Sequence, residues 1–197
     1  MASLSDLLVR PPAADGGITV IEPSDERSIG VFAFTAHHVI SAPVSPDWVR
    51  SALPSDELSA PFSPRFLTAL AARTGLVPNN LDAVLVAPPG PGTELELTCR
   101  PDHPWGVHRT DVQVWMADGG QLILGRGVAG RLEAAVEVEV AARGRGLGRA
   151  LFAAARGLAD GEPVWAQVAP GNAASLRAVL AAGFRPLGAE VLLIPGG

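Results

Sequence analysis

The stretch Val136-Glu137-Val138-Glu139-Val140-Ala141-Ala142-Arg143-Gly144-Arg145-Gly146-Leu147-Gly148-Arg149-Ala150-Leu151-Phe152 decides how this chain folds. Its first part belongs to a run, Leu132 to Val140, that alternates apolar and acidic residues and reads as a strand. Its last part opens a helical pattern, with Leu151, Phe152, Ala155 and Leu158 on one face. Between them lie three glycines, at 144, 146 and 148, and three arginines, at 143, 145 and 149. Glycine allows the backbone to approach a ligand closely and to adopt positive φ. The first N–H groups of a helix have no partner within it, and the helix dipole adds partial positive charge there. A strand, a basic glycine loop and a helix in this order make a place suited to phosphate. The loop lacks the lysine and Ser/Thr of a P-loop, and its glycines are spaced two by two, unlike the dinucleotide fingerprint. The loop alone is equally a tight turn with a basic rim.

The pattern continues downstream. Pro163 to Val168 reads as another strand, Asn172 opens a helix with Leu176 and Leu180, Gly183 ends it, and Ala189 to Ile194 reads as a last strand. The order predicts an α/β sheet with a crossover that sets 132–140 and 163–168 side by side and parallel. Upstream, Val112, Val114 and Met116, the turn Asp118-Gly119-Gly120 and Leu122-Ile123-Leu124 form a hairpin. In the front part, Ile18–Ile21 and 29–35 read as strands. Ser45-Pro46 and Ser63-Pro64 each place a capping serine before a proline at the first helical position, and Gly75 is a stop. Asp82 to Ala87 and Glu94 to Thr98 read as strands. The Pro/Gly-rich stretches 88–92 and 100–104 suggest a division into residues 1–105 and 106–197.

Composition narrows the function classes. The chain has 197 residues, 48% of them hydrophobic, enough to bury a core. Its net charge of -5 argues against a nucleic-acid partner. All 15 basic residues are arginine, and tyrosine is absent. The acidity is concentrated in residues 1–100, which suits a cationic partner or solubility alone. The single Cys99 cannot form an internal disulfide and fits a reducing, cytoplasmic setting. No apolar run is long enough to span a membrane, and the first residues lack the features of a secretory signal.

Two motifs together resemble those of GNAT-type N-acetyltransferases. Arg143, Gly146 and Gly148 fill the family's Arg-x-x-Gly-x-Gly/Ala loop, and Val138-Glu139-Val140 precedes it as the family's central strand does. Asn172 to Arg177, ending in Ala182-Gly183-Phe184, is similar to the family's second signature. The resemblance covers about Asp111 to Ile194. It implies a mixed, twisted sheet flanked by helices, with a splayed gap between two parallel strands that admits acetyl-CoA. It implies transfer of an acetyl group from that donor to a primary amine, on a small molecule or a peptide, with the front half on the acceptor side. By this resemblance Arg143, Gly144, Arg145, Gly146, Leu147, Gly148 and Arg149 hold the pyrophosphate. The backbone of Val138 and Val140 holds the pantetheine, and Asn172 and Ser175 meet the CoA arm. A homodimer through an exposed final strand is a further implication.

The chain departs from the family where protons are handled. Relatives carry a tyrosine seven residues after the asparagine and, in some, a glutamate five residues before it; here these positions are Val179 and Gln167. Alternation places Glu133, Glu137 and Glu139 on one strand face. Glu137 is the first candidate for general base and Glu133 the second, against solvated edge charge or partners for Arg131 and Arg143. A non-catalytic CoA-binding or metabolite-sensing module is the alternative. Cys99, His103 and His108, beside Asp102 and with His37-His38 as further candidates, have spacing too loose for a zinc site, so no metal is expected. Asn172 would also serve as an ordinary helix cap. Trp48, Trp105, Trp115 and Trp165 read as core or interface residues.

Overall fold

The computed structural model describes residues 3–100 and 109–196. Its helices and strands, in chain order, are α1 (Leu4–Val9), β1 (Ile18–Ile21), β2 (Gly30–Phe34), β3 (His37–Ser41), α2 (Pro46–Ala52), α3 (Pro64–Thr74), β4 (Val77–Ala87), β5 (Thr98–Arg100), β6 (Thr110–Ala117), β7 (Gly120–Arg126), β8 (Leu132–Val138), α4 (Leu147–Gly157), β9 (Val164–Val168), α5 (Ala173–Ala181) and β10 (Arg185–Ile194). Two units result: Met1–Asp82 with Leu187–Gly197, and Ala83–Pro186. Parts of β4 and β10 belong to each.

In the first unit, β2 and β3 form an antiparallel pair, β1 runs parallel to β3, and β10 lies antiparallel to β2. Both Ser-Pro signals act as read. The Ser45 hydroxyl accepts the Trp48 N–H, the Ser63 hydroxyl accepts the Phe66 N–H, and Gly75 closes α3 at φ 74°. Helix starts capped in this way present one apolar face: Val49 of α2 and Phe66 and Leu70 of α3 are buried with Val31, Ile40 and Leu193. The 189–192 segment of the final strand is paired with β2, and Val191 and Leu193 are buried.

In the second unit the strand order is β4-β9-β8-β7-β6-β5. The β8/β9 pair is parallel, as the crossover reading requires, and its neighbours are antiparallel. The class is therefore α/β, with a mixed sheet flanked by helices. Helices α4 and α5 cover one face. Leu151, Phe152 and Ala155 of α4 and Val179 of α5 are buried against Leu122, Leu124, Ala134 and Val164, and Phe152 meets Phe184 edge-on with centroids 5.6 Å apart. The β6–β7 hairpin turns at Asp118-Gly119, but only Gly119 takes positive φ, at 76°.

Two strand readings need correction. Of 94–98 only Thr98 is in a strand. The apolar alternation is real, because Leu95 and Leu97 pack on the helix-side core, but the backbone there runs as an irregular strap instead of pairing. The run from Leu132 stops at Val138. The chain then turns through Val140–Ala142, which leaves Val140 77% exposed. Glu139 has therefore left the strand, and only Glu133 and Glu137 keep the face opposite Ala134, Val136 and Val138.

Candidate functional site

The second unit's site begins with an interrupted ladder. β8 pairs with β7 over all seven of its residues, and β9 with β4 over five. Between β8 and β9 there are two pairs only, Leu132 with Val164 and Glu133 with Trp165. Beyond these, β8 follows β7 and β9 follows β4. A gap opens between the two parallel strands toward their carboxyl ends. Ligands of open α/β sheets bind at such ends, where strand edges offer unspent backbone donors and acceptors.

The closed end of the gap is pinned by charge. Glu133 is 3% exposed. Its carboxylate accepts hydrogen bonds from Arg131 Nε at 2.7 Å, Arg109 Nε at 2.9 Å and the Val128 N–H at 3.2 Å. It occupies the space where a side chain at Gly127 would begin: a Cβ there would lie 2.2 Å from the carboxyl carbon. Burial works to raise its pKa, but the guanidiniums of Arg131 and Arg109 outweigh burial and hold it below the ordinary glutamate range. Arg131 also lies 5.3 Å from the centroid of Trp165, the residue opposite Glu133 in the ladder. A forked pair from Arg126 to Glu162 ties the end of β7 to the approach to β9. A carboxylate so paired is a brace and is poorly placed to take a proton. Glu137, four residues on, is exposed and accepts one hydrogen bond, from Gln121 Nε2 at 2.8 Å.

At the open end β8 delivers the chain into the glycine loop. Gly144 and Gly146 have φ of 76° and 86° in open space, so conformation and not room requires glycine there. Gly146 caps α4 without a side-chain acceptor, leaving the first-turn N–H groups to whatever lies in front of them. Gly148 differs: a Cβ there would lie 3.4 Å from Ala178 Cβ and 3.7 Å from Val138 Cγ2, so it fits the start of α4 closely to α5 and to the end of β8. Leu147 packs beside it on the core. Arg143 turns back, its Nε donating to the Val138 carbonyl at 3.2 Å at the mouth of the gap. Arg145 and Arg149 are exposed and carry no ion pair among the described residues. Across the gap, Asn172 caps α5: its Oδ1 accepts the Ser175 N–H at 3.1 Å. Val179 is fully buried in the core, and Gln167 is half-buried on β9 opposite Val84.

Solved structures similar to this chain carry acetyltransferase names. A GCN5-related N-acetyltransferase from Kribbella flavida is 19% identical, with a TM-score of 0.46 over 66% of this chain and 64% of that one. A second, from Sphaerobacter thermophilus, is 18% identical, with a TM-score of 0.40 over 66% of this chain and 56% of that one. A GNAT-family protein from Novosphingobium aromaticivorans is 18% identical, with a TM-score of 0.43 over 62% of this chain and 69% of that one. The matched part thus spans less than two thirds of the first two. No protein-family model matches the chain, and neither does any curated protein.

The remaining candidates lie elsewhere. His103, His108, Asp102 and Trp105 fall outside the described residues, and Cys99 is exposed on β5. Among the described residues no three His, Cys, Asp or Glu side chains are grouped to hold a metal. In the first unit His37 is held between Asp15 (Nδ1–Oδ1 2.7 Å) and Thr19 (Nε2–Oγ1 2.9 Å), while His38 packs edge-on against Phe62. Trp48 packs on Phe66, and Trp115 lies on the helix-side core of the second unit. No described helix is long and apolar enough to cross a membrane. The alternative reading of a glutamate as partner for Arg131 holds for Glu133, but sequence reading missed its second partner, Arg109, and the 92–97 strap. Arg109 and Glu133 lie far apart in sequence.

Proposed function

We propose that this chain is an N-acyltransferase that moves an acetyl group from acetyl-CoA to a primary amine, on a small molecule or a peptide. One observation carries the reading: the β8/β9 ladder stops after two pairs and opens onto a glycine-capped helix start. A gap between parallel strands accepts the amide-bearing pantetheine arm as a third, short strand would sit, hydrogen-bonded to backbone at Ala134–Val138 and Ala166–Val168. The first-turn N–H groups of α4, with Gly144 and Gly146 keeping the approach clear, receive the pyrophosphate, and Arg145 and Arg149 add charge beside it. Arg143 vacates the Val138 carbonyl as the arm enters. Asn172 keeps α5 capped, and its Nδ2 is available to the arm.

The chemistry is an addition and an elimination. The amine lone pair forms a C–N bond to the thioester carbonyl carbon, the C–S bond breaks, and the amine proton leaves for a base. Holding donor and acceptor together supplies most of the acceleration. A backbone N–H at the end of β8 faces the developing oxyanion. Glu137 takes the proton, directly or through water, since Glu133 is spent on two arginines. The leaving thiolate needs no acid from position 179, because it is a stable anion. The chain acts in the cytoplasm. Calorimetry with acetyl-CoA tests the reading. Binding by the native chain, lost in Gly146→Glu, followed by amine-dependent CoA release, supports it. Binding without release leaves a CoA-binding module, and absence of binding removes both.

A further inference from the structure

The first unit holds an acid, an imidazole and a hydroxyl in one line. His37 opens β3, and only 7% of its side chain is exposed. Its Nδ1 lies 2.7 Å from Asp15 Oδ1, and its Nε2 lies 2.9 Å from Thr19 Oγ1. Hydrogen bonds from His37 and from the Gly17 N–H hold the Asp15 carboxyl below the ordinary aspartate range. An ionised carboxylate only accepts, so Nδ1 carries the ring proton. In the neutral ring Nε2 then presents its lone pair, and the Thr19 hydroxyl donates to it. The backbone is shaped around this line. The Gly16 N–H donates to the Ala36 carbonyl at 2.8 Å, which folds the loop back on the turn before His37. A Cβ on Gly17 would lie 2.8 Å from Asp15 Oδ1 and 3.2 Å from His37 Cε1, so glycine leaves the space that the pair occupies. Ala36 is held at φ 47°, a left-handed conformation that residues with a Cβ rarely adopt. Beside Thr19 the strand edge is open. The Gly17 and Ile21 carbonyls accept from the N–H groups of His38 and Ala42. Gly17, Thr19 and Ile21 thus turn their backbone to β3, and the Val20 N–H points away from it, with no partner among the described residues.

We propose that Thr19 is an acyl-accepting nucleophile, with His37 as its base and Asp15 orienting the ring, and that its co-substrate is a small activated acyl ester. A partly exposed hydroxyl on a carboxylate-held imidazole, with a free N–H on the next residue, has the parts of an activated nucleophile and of the donor that steadies its oxyanion. Thr19 Oγ1 attacks the ester carbonyl carbon and its proton passes to His37 Nε2. The Oγ1–C bond forms, the bond from that carbon to the leaving oxygen breaks, and the leaving oxygen takes the proton from Nε2. The products are an O-acylated threonine and the alcohol. The site is separate in its residues from the gap between β8 and β9 and does not depend on the acyl-CoA reading.

The experiment incubates the full chain with p-nitrophenyl acetate, follows the nitrophenolate released and locates acetyl groups by peptide mass spectrometry. The native protein is compared with Thr19→Val and Asp15→Asn. Acetyl is expected on Thr19 about a hundredfold faster than on Thr35, an exposed hydroxyl in the turn before His37. Thr19→Val removes the nitrophenolate burst, and Asp15→Asn slows it by about a hundredfold. Melting curves check the fold of both variants. The Asp15 side chain is 58% exposed, so Asp15→Asn tests the line without emptying a core and decides the matter if Thr19→Val unfolds. Equal acetylation of Thr19 and Thr35, a rate unmoved by Asp15→Asn, or a burst that survives in folded Thr19→Val with acetyl on His37 overturns the assignment.

Discussion

The two ends of the β8/β9 pair are built from opposite materials. At the closed end, two ladder pairs are backed by a buried carboxylate, two guanidiniums and a tryptophan face, with the Gly127 backbone drawn in against Glu133. At the open end β8 and β9 no longer pair with each other, and the arginines of the loop carry little beyond one bond from Arg143 to Val138. Strand pairing and polar satisfaction are complete where the strands must not part and unfinished where something else must enter. A gap in a sheet is costly unless its origin is fixed, and the Glu133 cluster fixes it.

If the closed end is the structural half, Glu133→Gln has the largest effect. It leaves one buried and one partly buried guanidinium around a neutral amide, a class of change that costs about 3–5 kcal/mol. Denaturant unfolding reads it, and an unchanged midpoint breaks the contrast. The same group sets an acid limit. Its folded pKa is depressed, so its contribution is complete above the ordinary glutamate range, about 4.3, and is lost as pH falls through the lower folded value. Native stability should fall more steeply with acid than that of Glu133→Gln.

Glu137→Gln tests the open end from the other side. It should cut kcat by about a hundredfold, within the range for general bases, and leave the melting temperature in place. A variant with full turnover removes Glu137 as the base. Arg126→Ala breaks a half-exposed ion pair and should cost at most about 1 kcal/mol, screened by salt. A larger loss would move the anchor of the closed end from Glu133 to Arg126. The smallest expected change is Arg143→Ala: a stability shift within about 0.5 kcal/mol, since the bond it removes is exposed. The accompanying change in acetyl-CoA affinity shows whether that arginine guards the Val138 carbonyl or only decorates it.

What was legible in the sequence was local. The Ser-Pro caps, the Asp118-Gly119 turn and the glycine loop each rest on a few consecutive residues whose backbone preferences need no tertiary help. The parallel pair followed from the strand–loop–helix–strand order. The split itself was not readable from residues alone. It exists only as missing pairs, and the sequence of Ala134–Val138 is as competent to pair as that of Leu132–Glu133. Glu133 illustrates the same limit: alternation set its face, but its partner Arg109 lies 24 positions away and turns a candidate base into a brace. Alternation misled at 94–97, where burying Leu95 and Leu97 on a helix-side core imitates a half-buried strand. Val140 was lost from the strand because the chain turns at Glu139, whose N–H is taken by the Gly119 carbonyl at 2.9 Å.

The central claim is that the gap between β8 and β9 receives the acyl donor's arm as a missing strand. Amide hydrogen exchange, resolved by residue and run with and without acetyl-CoA, addresses it most directly. The account expects slow exchange at the closed end in both states, and new protection on adding acetyl-CoA at gap-facing amides of 134–138 and 166–168. Acetyl-CoA that binds while those amides exchange as before would place the donor elsewhere and contradict the account.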